Sequence, residues 1–117
     1  MISTGIDIIE VKRIKRTIQS NKKFIHKVYT PEEINYCNSK KNKWQHFAVR
    51  FAAKEAVWKA LGKDDIWHKD IIVKNISTGK PEILLTKRYK KIQDRISLSL
   101  SHTKDYAIAV AVYNEQK

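Results

Sequence analysis

The first apolar pattern along the chain has a period of two residues. Residues 1–10 are rich in β-branched side chains at alternating positions, which predicts a β-strand. One face of this strand would consist of Ile2, Thr4, Ile6 and Ile8, and the other of Ser3, Gly5, Asp7 and Ile9. An aspartate between isoleucines is costly to bury without a partner, and Gly5 leaves room beside it. Asp7 is therefore either a functional carboxylate or a residue that caps a turn at the strand end.

Helical patterns with a period near four residues follow. Residues 10–20 place basic side chains outward and predict a helix whose inward residues are Val11, Ile14 and Ile18. Residues 22–27 extend that charge and are interpreted as a loop. Thr30 and Glu33 have the spacing of a capping box, and Pro31 suits the first turn, so a second helix begins there.

The longest helical pattern covers residues 47–62, where strong helix formers predominate and Gly62 stands at the C-cap position. One ridge of this helix recurs every fourth residue and contains Phe47, Phe51, Glu55 and Lys59. Since its first two residues are apolar, we expect the ridge to face inward, with Glu55 and Lys59 at the border of a buried face. The same spacing also suits a solvent-exposed ion pair, which contributes about 0.2–0.5 kcal/mol.

The C-terminal half predicts two β-hairpins. The first joins a strand at residues 71–73 to residues 82–86 through a turn at residues 77–81. The second joins the alternating residues 96–101 to the apolar residues 106–113. Together with the helices, these hairpins predict an α+β domain built on a small antiparallel sheet with packed helices.

Composition limits the kinds of protein that this chain can be. Its 117 residues form a single domain over positions 1–117 and suffice for one modest core. The 24 Lys and Arg against 12 Asp and Glu give a net charge of +12, which attracts polyanions or acidic proteins. The single cysteine, Cys37, excludes an internal disulfide and suits a reducing, cytoplasmic setting. We expect no membrane span, because no window approaches the roughly 18 apolar residues that one needs, and no signal peptide.

Four short stretches resemble, in order and spacing, the holo-acyl-carrier-protein synthases, the small class of 4′-phosphopantetheinyl transferases. These stretches are Gly5-Ile6-Asp7-Ile8-Ile9-Glu10, Arg50-Phe51-Ala52-Ala53-Lys54-Glu55-Ala56 with Lys59-Ala60-Leu61-Gly62, Gly79-Lys80-Pro81, and Ser99-Leu100-Ser101-His102-Thr103. Each is weak alone, and their order along nearly the whole chain makes the set specific. The resemblance implies a 4′-phosphopantetheinyl transferase-like fold that assembles as a homotrimer with active sites between subunits.

The reaction that the resemblance implies is the transfer of 4′-phosphopantetheine from coenzyme A to a serine of apo-acyl carrier protein. It would release 3′,5′-ADP and serve fatty acid biosynthesis. Mg²⁺ suits such phosphate chemistry and prefers one or two carboxylates plus phosphate oxygens, which Asp7 and Glu55 would complete. Lys59, one helical turn beyond Glu55, would reach the phosphate as a point charge. Glu55 could accept the serine proton directly or through water, and Glu10 could support the metal or simply begin a helix.

The resemblance also assigns residues to the two substrates. Arg50, His102 and Thr103 would bind the nucleotide end of coenzyme A from the neighbouring subunit. A histidine at a strand end is also a common structural hydrogen-bonding residue. Arg13 would dock the acidic carrier protein, although the charge pattern by itself indicates only the first helix and the segment after it.

Two other functions remain open at the level of the sequence. A basic nucleic-acid-binding module would explain the net charge, but it would leave Asp7 and Glu55 without a role. A metal-dependent phosphate-ester hydrolase would use the same two acids with water in place of serine as the acceptor. The resemblance favours the transferase, with no nucleic-acid partner.

Overall fold

The chain folds into β-strands and helices over residues 1–75 and 79–116, which are the residues that this computed structural model describes. The strands are β1 (Ile2–Glu10), β2 (Ile71–Asn75), β3 (Pro81–Leu85), β4 (Ile96–His102) and β5 (Tyr106–Asn114). The α-helices are α1 (Val11–Ser20), α2 (Lys22–Val28), α3 (Pro31–Asn38) and α4 (Lys43–Leu61). Short 3-10 helices cover His68–Asp70 and Lys87–Arg95.

The strands form small antiparallel sheets, which confirms the predicted α+β class. Among the described residues, one sheet has the strand order β1-β5-β4, and β2 pairs with β3 in a second sheet. Both predicted hairpins are present, as β2–β3 and β4–β5. The predicted turn at residues 77–81 includes positions 77 and 78, which lie outside the described residues.

Close contact between β1 and α4 organises the core. Gly5 faces the helix so closely that a Cβ atom there would lie 1.9 Å from the carbonyl oxygen of Ala56. The helix accommodates this close approach with small buried residues, namely Ala52, Ala53, Ala56 and Ala60. The room that Gly5 leaves beside Asp7 is therefore filled by the backbone of α4, and this contact fixes the position of Asp7 relative to the helix.

The ridge predicted on the long helix runs from the core to the surface. Phe47 is buried, Phe51 and Glu55 are half-buried, and Lys59 is exposed. The expectation that the ridge faces inward therefore holds for its N-terminal end, while Glu55 and Lys59 lie at the border. The helix also begins earlier than predicted, at Lys43 rather than at Phe47.

The segment after α1 corrects the sequence interpretation. Residues 22–27 were expected to form a loop, but they belong to α2, whose start is capped by the Asn21 side chain accepting from the Lys23 N–H at 3.1 Å. Burial of Val28 gives this short helix a packing face. None of the described helices has the length and apolar character that crossing a membrane requires.

Candidate active site

Two carboxylates from distant parts of the chain share one cleft. Asp7 of β1 and Glu55 of α4 both line a cavity of about 350 Å³, together with Phe51 and with Arg13 of α1. Burial raises the pKa of Asp7 above its ordinary value of 3.8, although Lys59 acts to lower it. The neighbouring charge of Glu55 also raises the pKa of Asp7, so the two acids interact electrostatically. The strand and the helix therefore bring together the two acids that the sequence singled out.

Lys59 completes this group from the next turn of α4. Its ammonium donates to the backbone carbonyl of Ile6 at 3.0 Å and pairs with the Asp7 carboxylate at 3.4 Å. Among the described contacts its acidic partner is Asp7 rather than Glu55, so the exposed i,i+4 pair is not the arrangement adopted. The Lys59 side chain is 47% exposed, so the ion pair contributes little to stability and the charge is accessible to a ligand.

Glu55 has a different partner, one that the sequence interpretation missed. The Nε2 atom of His68 lies 3.1 Å from Oε1 of Glu55. The imidazole also stacks on the ring of Phe51, with 5.4 Å between the centroids and 12° between the planes. The sequence does not single out His68, because it lies 13 positions from Glu55 and the path of the segment between α4 and β2 sets its position.

A buried ion pair between Lys54 and Glu33 lies beneath the site. Lys54 is fully buried and lies 2.9 Å from Oε1 of Glu33 on α3. It also donates to the backbone carbonyls of His68 at 2.9 Å and Ile71 at 2.6 Å. Burial lowers the pKa of Lys54, and the charge of Glu33 opposes that change. Glu33 also forms the predicted capping box with Thr30.

The residues assigned to the nucleotide lie elsewhere in the chain. His102, at the end of β4, places Nδ1 2.9 Å from Oε1 of Gln45 near the start of α4. The hydroxyl of Thr103 accepts from the backbone N–H groups of Asp105 and Tyr106 and shapes the turn before β5. Gln45 precedes Glu55 by ten residues, or about 15 Å of helix. Within one chain, His102 and Thr103 are therefore separated from the two carboxylates.

Arg50 lies on another face of α4 and is buried. Its guanidinium bonds to the side chain of Asn75 and sits 4.2 Å over the ring of Tyr36. Its Nε is buried and has no hydrogen-bond partner among the described residues. Burial first, then the charges of Arg50 and His102, lower the pKa of His46, so Arg50 and His102 act on a common neighbour.

The donor set of the cleft fits a cation that is shared with a phosphate substrate. Within residues 1–75 and 79–116, no group of three or more His, Cys, Asp or Glu side chains is placed to hold a metal ion. Mg²⁺ is commonly held by one or two carboxylates with phosphate oxygens and water supplying the remaining ligands. Asp7 and Glu55 match that requirement and do not form a dedicated metal cage.

Comparisons with known proteins bear on the family to which this chain belongs. The model of the 4′-phosphopantetheinyl transferase superfamily matches residues 3–111. A holo-[acyl-carrier-protein] synthase from Ruminiclostridium cellulolyticum is 48% identical over 119 residues, with 92% of this chain and 88% of that protein covered.

Solved structures show the same fold. The holo-(acyl-carrier-protein) synthase from Bacillus anthracis, in complex with CoA (3′,5′-ADP), has a TM-score of 0.79 and 34% identity, covering 95% of this chain and 94% of that one. The Helicobacter pylori synthase in complex with coenzyme A has a TM-score of 0.81 and 32% identity, covering 97% and 100%. Sequence match and fold agree, and the chain belongs to the 4′-phosphopantetheinyl transferase superfamily.

Proposed function

We propose that this protein is a holo-acyl-carrier-protein synthase. It transfers 4′-phosphopantetheine from coenzyme A to a serine hydroxyl of an apo-acyl carrier protein and releases 3′,5′-ADP. The observation that carries the proposal is the meeting of Asp7 and Glu55 in one cleft of a superfamily member, with Lys59 paired to Asp7. The names of the relatives and the coenzyme A in two related structures support the same substrates.

The cleft, with Lys59 beside Asp7, provides the groups that phosphoryl chemistry needs. Asp7 and Glu55 would hold Mg²⁺, which when bound neutralises phosphate charge and orients the two phosphates of coenzyme A. Lys59 donates from its exposed ammonium to a phosphate oxygen, where charge grows as the bond to the leaving nucleotide breaks. Glu55 would receive the serine proton, directly or through a water molecule.

The carrier protein would approach over α1. Arg13 is exposed and lines the same cleft as the two carboxylates, so a carrier bound to it would present its serine at the reacting phosphate. The net charge of +12 favours an acidic partner, and exposed charges of this kind accelerate association more than they strengthen the complex.

We propose further that the active unit is a homotrimer. The face of the sheet that points away from α4 carries an outer sheet patch, whose side chains are between 37% and 64% exposed: Ile2, Ile6, Ile8, Tyr106, Ile108 and Val110. In the strand register Ile6 lies opposite Val110 and Ile8 opposite Ile108, so the patch is continuous. Contiguous exposed apolar surface of this kind marks an interface. A ring of three subunits would bury it. It could also bring Arg50, His102 and Thr103 of one subunit to the nucleotide end of a coenzyme A bound at the carboxylates of the next.

One assay separates the transferase from its two rivals. The protein is incubated with coenzyme A, Mg²⁺ and an apo-acyl carrier protein, and the masses of the products are measured by mass spectrometry. A carrier heavier by one phosphopantetheine, with 3′,5′-ADP released, is the expected result. Free phosphopantetheine without carrier modification would instead indicate a hydrolase. Neither product, together with tight binding of nucleic acid, would indicate a binding module.

A further inference from the structure

His68 is held in place by three residues from neighbouring turns of α4. Phe51 stacks on its ring, Glu55 meets its Nε2 atom, and Lys54 donates to its backbone carbonyl. Because Lys54 is itself buried and paired with Glu33, the backbone of His68 is tied to the core of the fold. Ring and backbone are therefore both fixed relative to the helix that carries Glu55.

The chemistry of the two groups determines which of them donates the hydrogen bond. An ionised carboxylate accepts hydrogen bonds and cannot donate them, so Nε2 of His68 must carry a hydrogen to bond Oε1 of Glu55 at 3.1 Å. A carboxylate offers about four lone-pair positions, so a single donor leaves it able to bind a cation. In metal sites, partners that hydrogen-bond a ligand orient it and tune its affinity.

We propose that His68 is a positioning residue that holds the Glu55 carboxylate in the orientation used to bind the divalent cation. The inference rests on the proposed function, because it takes Asp7 and Glu55 as the cation ligands. His68 does not itself touch the substrate in this role. Its effect reaches the reaction only through the direction of the Glu55 side chain.

Two substitutions separate the hydrogen bond from the packing. His68→Phe keeps an aromatic ring against Phe51 and removes the donor. His68→Gln removes the ring and keeps an N–H donor at a similar distance along the side chain. His26→Phe makes the first exchange at an exposed histidine of α2 and serves as the control.

The probe is Mn²⁺, titrated into each folded variant in the presence of coenzyme A and without carrier protein, with binding followed by electron paramagnetic resonance. His68→Phe should weaken Mn²⁺ binding roughly tenfold, the lower end of the effect expected for a residue that orients a metal ligand. His68→Gln should recover most of that loss, and His26→Phe should match the wild type. Unchanged binding in His68→Phe, or equal losses in the Phe and Gln variants, would overturn the inference.

Glu55→Gln in the same titration distinguishes the proposed cation site from the proposed positioning role of His68. If Glu55→Gln weakens Mn²⁺ binding and His68→Phe does not, the positioning role is wrong and the metal site stands. If Glu55→Gln leaves binding unchanged, the metal site is wrong and the inference falls with it.

A second measurement needs no metal. The ¹⁵N shifts of the imidazole in the metal-free wild type should show Nε2 of His68 protonated, and Glu55→Gln should alter those shifts. A neutral ring with its proton on Nδ1 would contradict the contact.

Discussion

At the scale of single residues, the candidate site contains an acid, Asp7, whose charge the fold does not fully compensate. The pKa of Asp7 is raised because burial outweighs the help from Lys59, and Glu55 adds a second negative charge nearby. Functional sites of natural proteins often contain charged groups that lower the stability of the fold until a ligand binds to them. Asp7 and Glu55 should therefore matter for activity much more than for folding.

The first prediction concerns catalysis. Asp7→Asn and Glu55→Gln should each lower Mg²⁺-dependent phosphopantetheine transfer by roughly 100-fold or more, because several kcal/mol of charge stabilisation would be lost. Transfer is measured as carrier mass gain over time, with circular dichroism to verify the fold. The control is Glu82→Gln, at an exposed acid on β3. Wild-type rates in either variant at ordinary Mg²⁺ would refute the assignment.

The second prediction concerns pH and the metal-free protein. The folded state raises the pKa of Asp7 above its ordinary value of 3.8, so the stability linked to this carboxyl is complete below that value and is lost as pH rises through the folded pKa. In the presence of a chelator, the free energy of unfolding of Asp7→Asn should therefore increase relative to the wild type between pH 3 and pH 7. Urea denaturation at a series of pH values measures it. A relative decrease over that range would show that Lys59 outweighs burial.

The sequence identified these acids and Lys59, but neither His68 nor the buried Lys54–Glu33 pair. Asp7 stood out as a carboxylate between isoleucines in a predicted strand, and Glu55 as an acid at the border of a predicted buried helix face. His68 and the Lys54–Glu33 pair carry no such local signal. Their contacts join segments that are 13 or more positions apart, and only the packed fold decides them.

At the scale of secondary-structure elements, the contact between β1 and α4 sets the distance between the two acids. The strand can approach the helix because Gly5 has no side chain. Elements with strong local signals were predicted correctly, such as α3 with its capping box. The helix α2 was missed because its basic composition masked a start signal at Asn21, and because most of its stabilisation comes from packing.

The third prediction tests that contact. In Gly5→Ala the new Cβ would overlap the carbonyl of Ala56, so β1 must shift away from α4. Such overpacking should cost about 1–3 kcal/mol of stability and lower transfer, since Asp7 moves with the strand. Thermal unfolding and transfer rates are measured beside Ser3→Ala, a change on the same face of β1. Full stability and activity in Gly5→Ala would contradict the close contact.

The fourth prediction belongs to α1. Arg13→Glu should raise the Michaelis constant for the carrier roughly tenfold, equivalent to about 1.4 kcal/mol, and leave that for coenzyme A nearly unchanged. Lys12→Glu, an equal charge change outside the cleft, should have a smaller effect. Transfer should also weaken with added salt, because exposed charges are screened beyond about 8–10 Å. Equal rises in both Michaelis constants for Arg13→Glu would argue against docking on α1.

At the scale of the whole molecule, one chain holds two separated groups of proposed site residues and an exposed apolar face. The carboxylates and Lys59 lie on one side, and His102 contacts the start of α4 on the other. The sequence predicted an apolar final strand, but only the sheet register shows that β1 and β5 expose their large residues together. Trimer formation would bury the outer sheet patch and could unite the two groups across an interface.

The claim that each site is shared between two subunits is tested most directly by complementation. Glu55→Gln and His102→Ala proteins, each poorly active alone, are unfolded together at equal concentration and refolded. In randomly mixed trimers, about one quarter of the shared sites would combine an intact Glu55 with an intact His102 from the neighbour, so about that fraction of wild-type transfer should return. No recovery despite proven subunit exchange, or full activity in a protein that light scattering shows to be a monomer, would contradict the shared site.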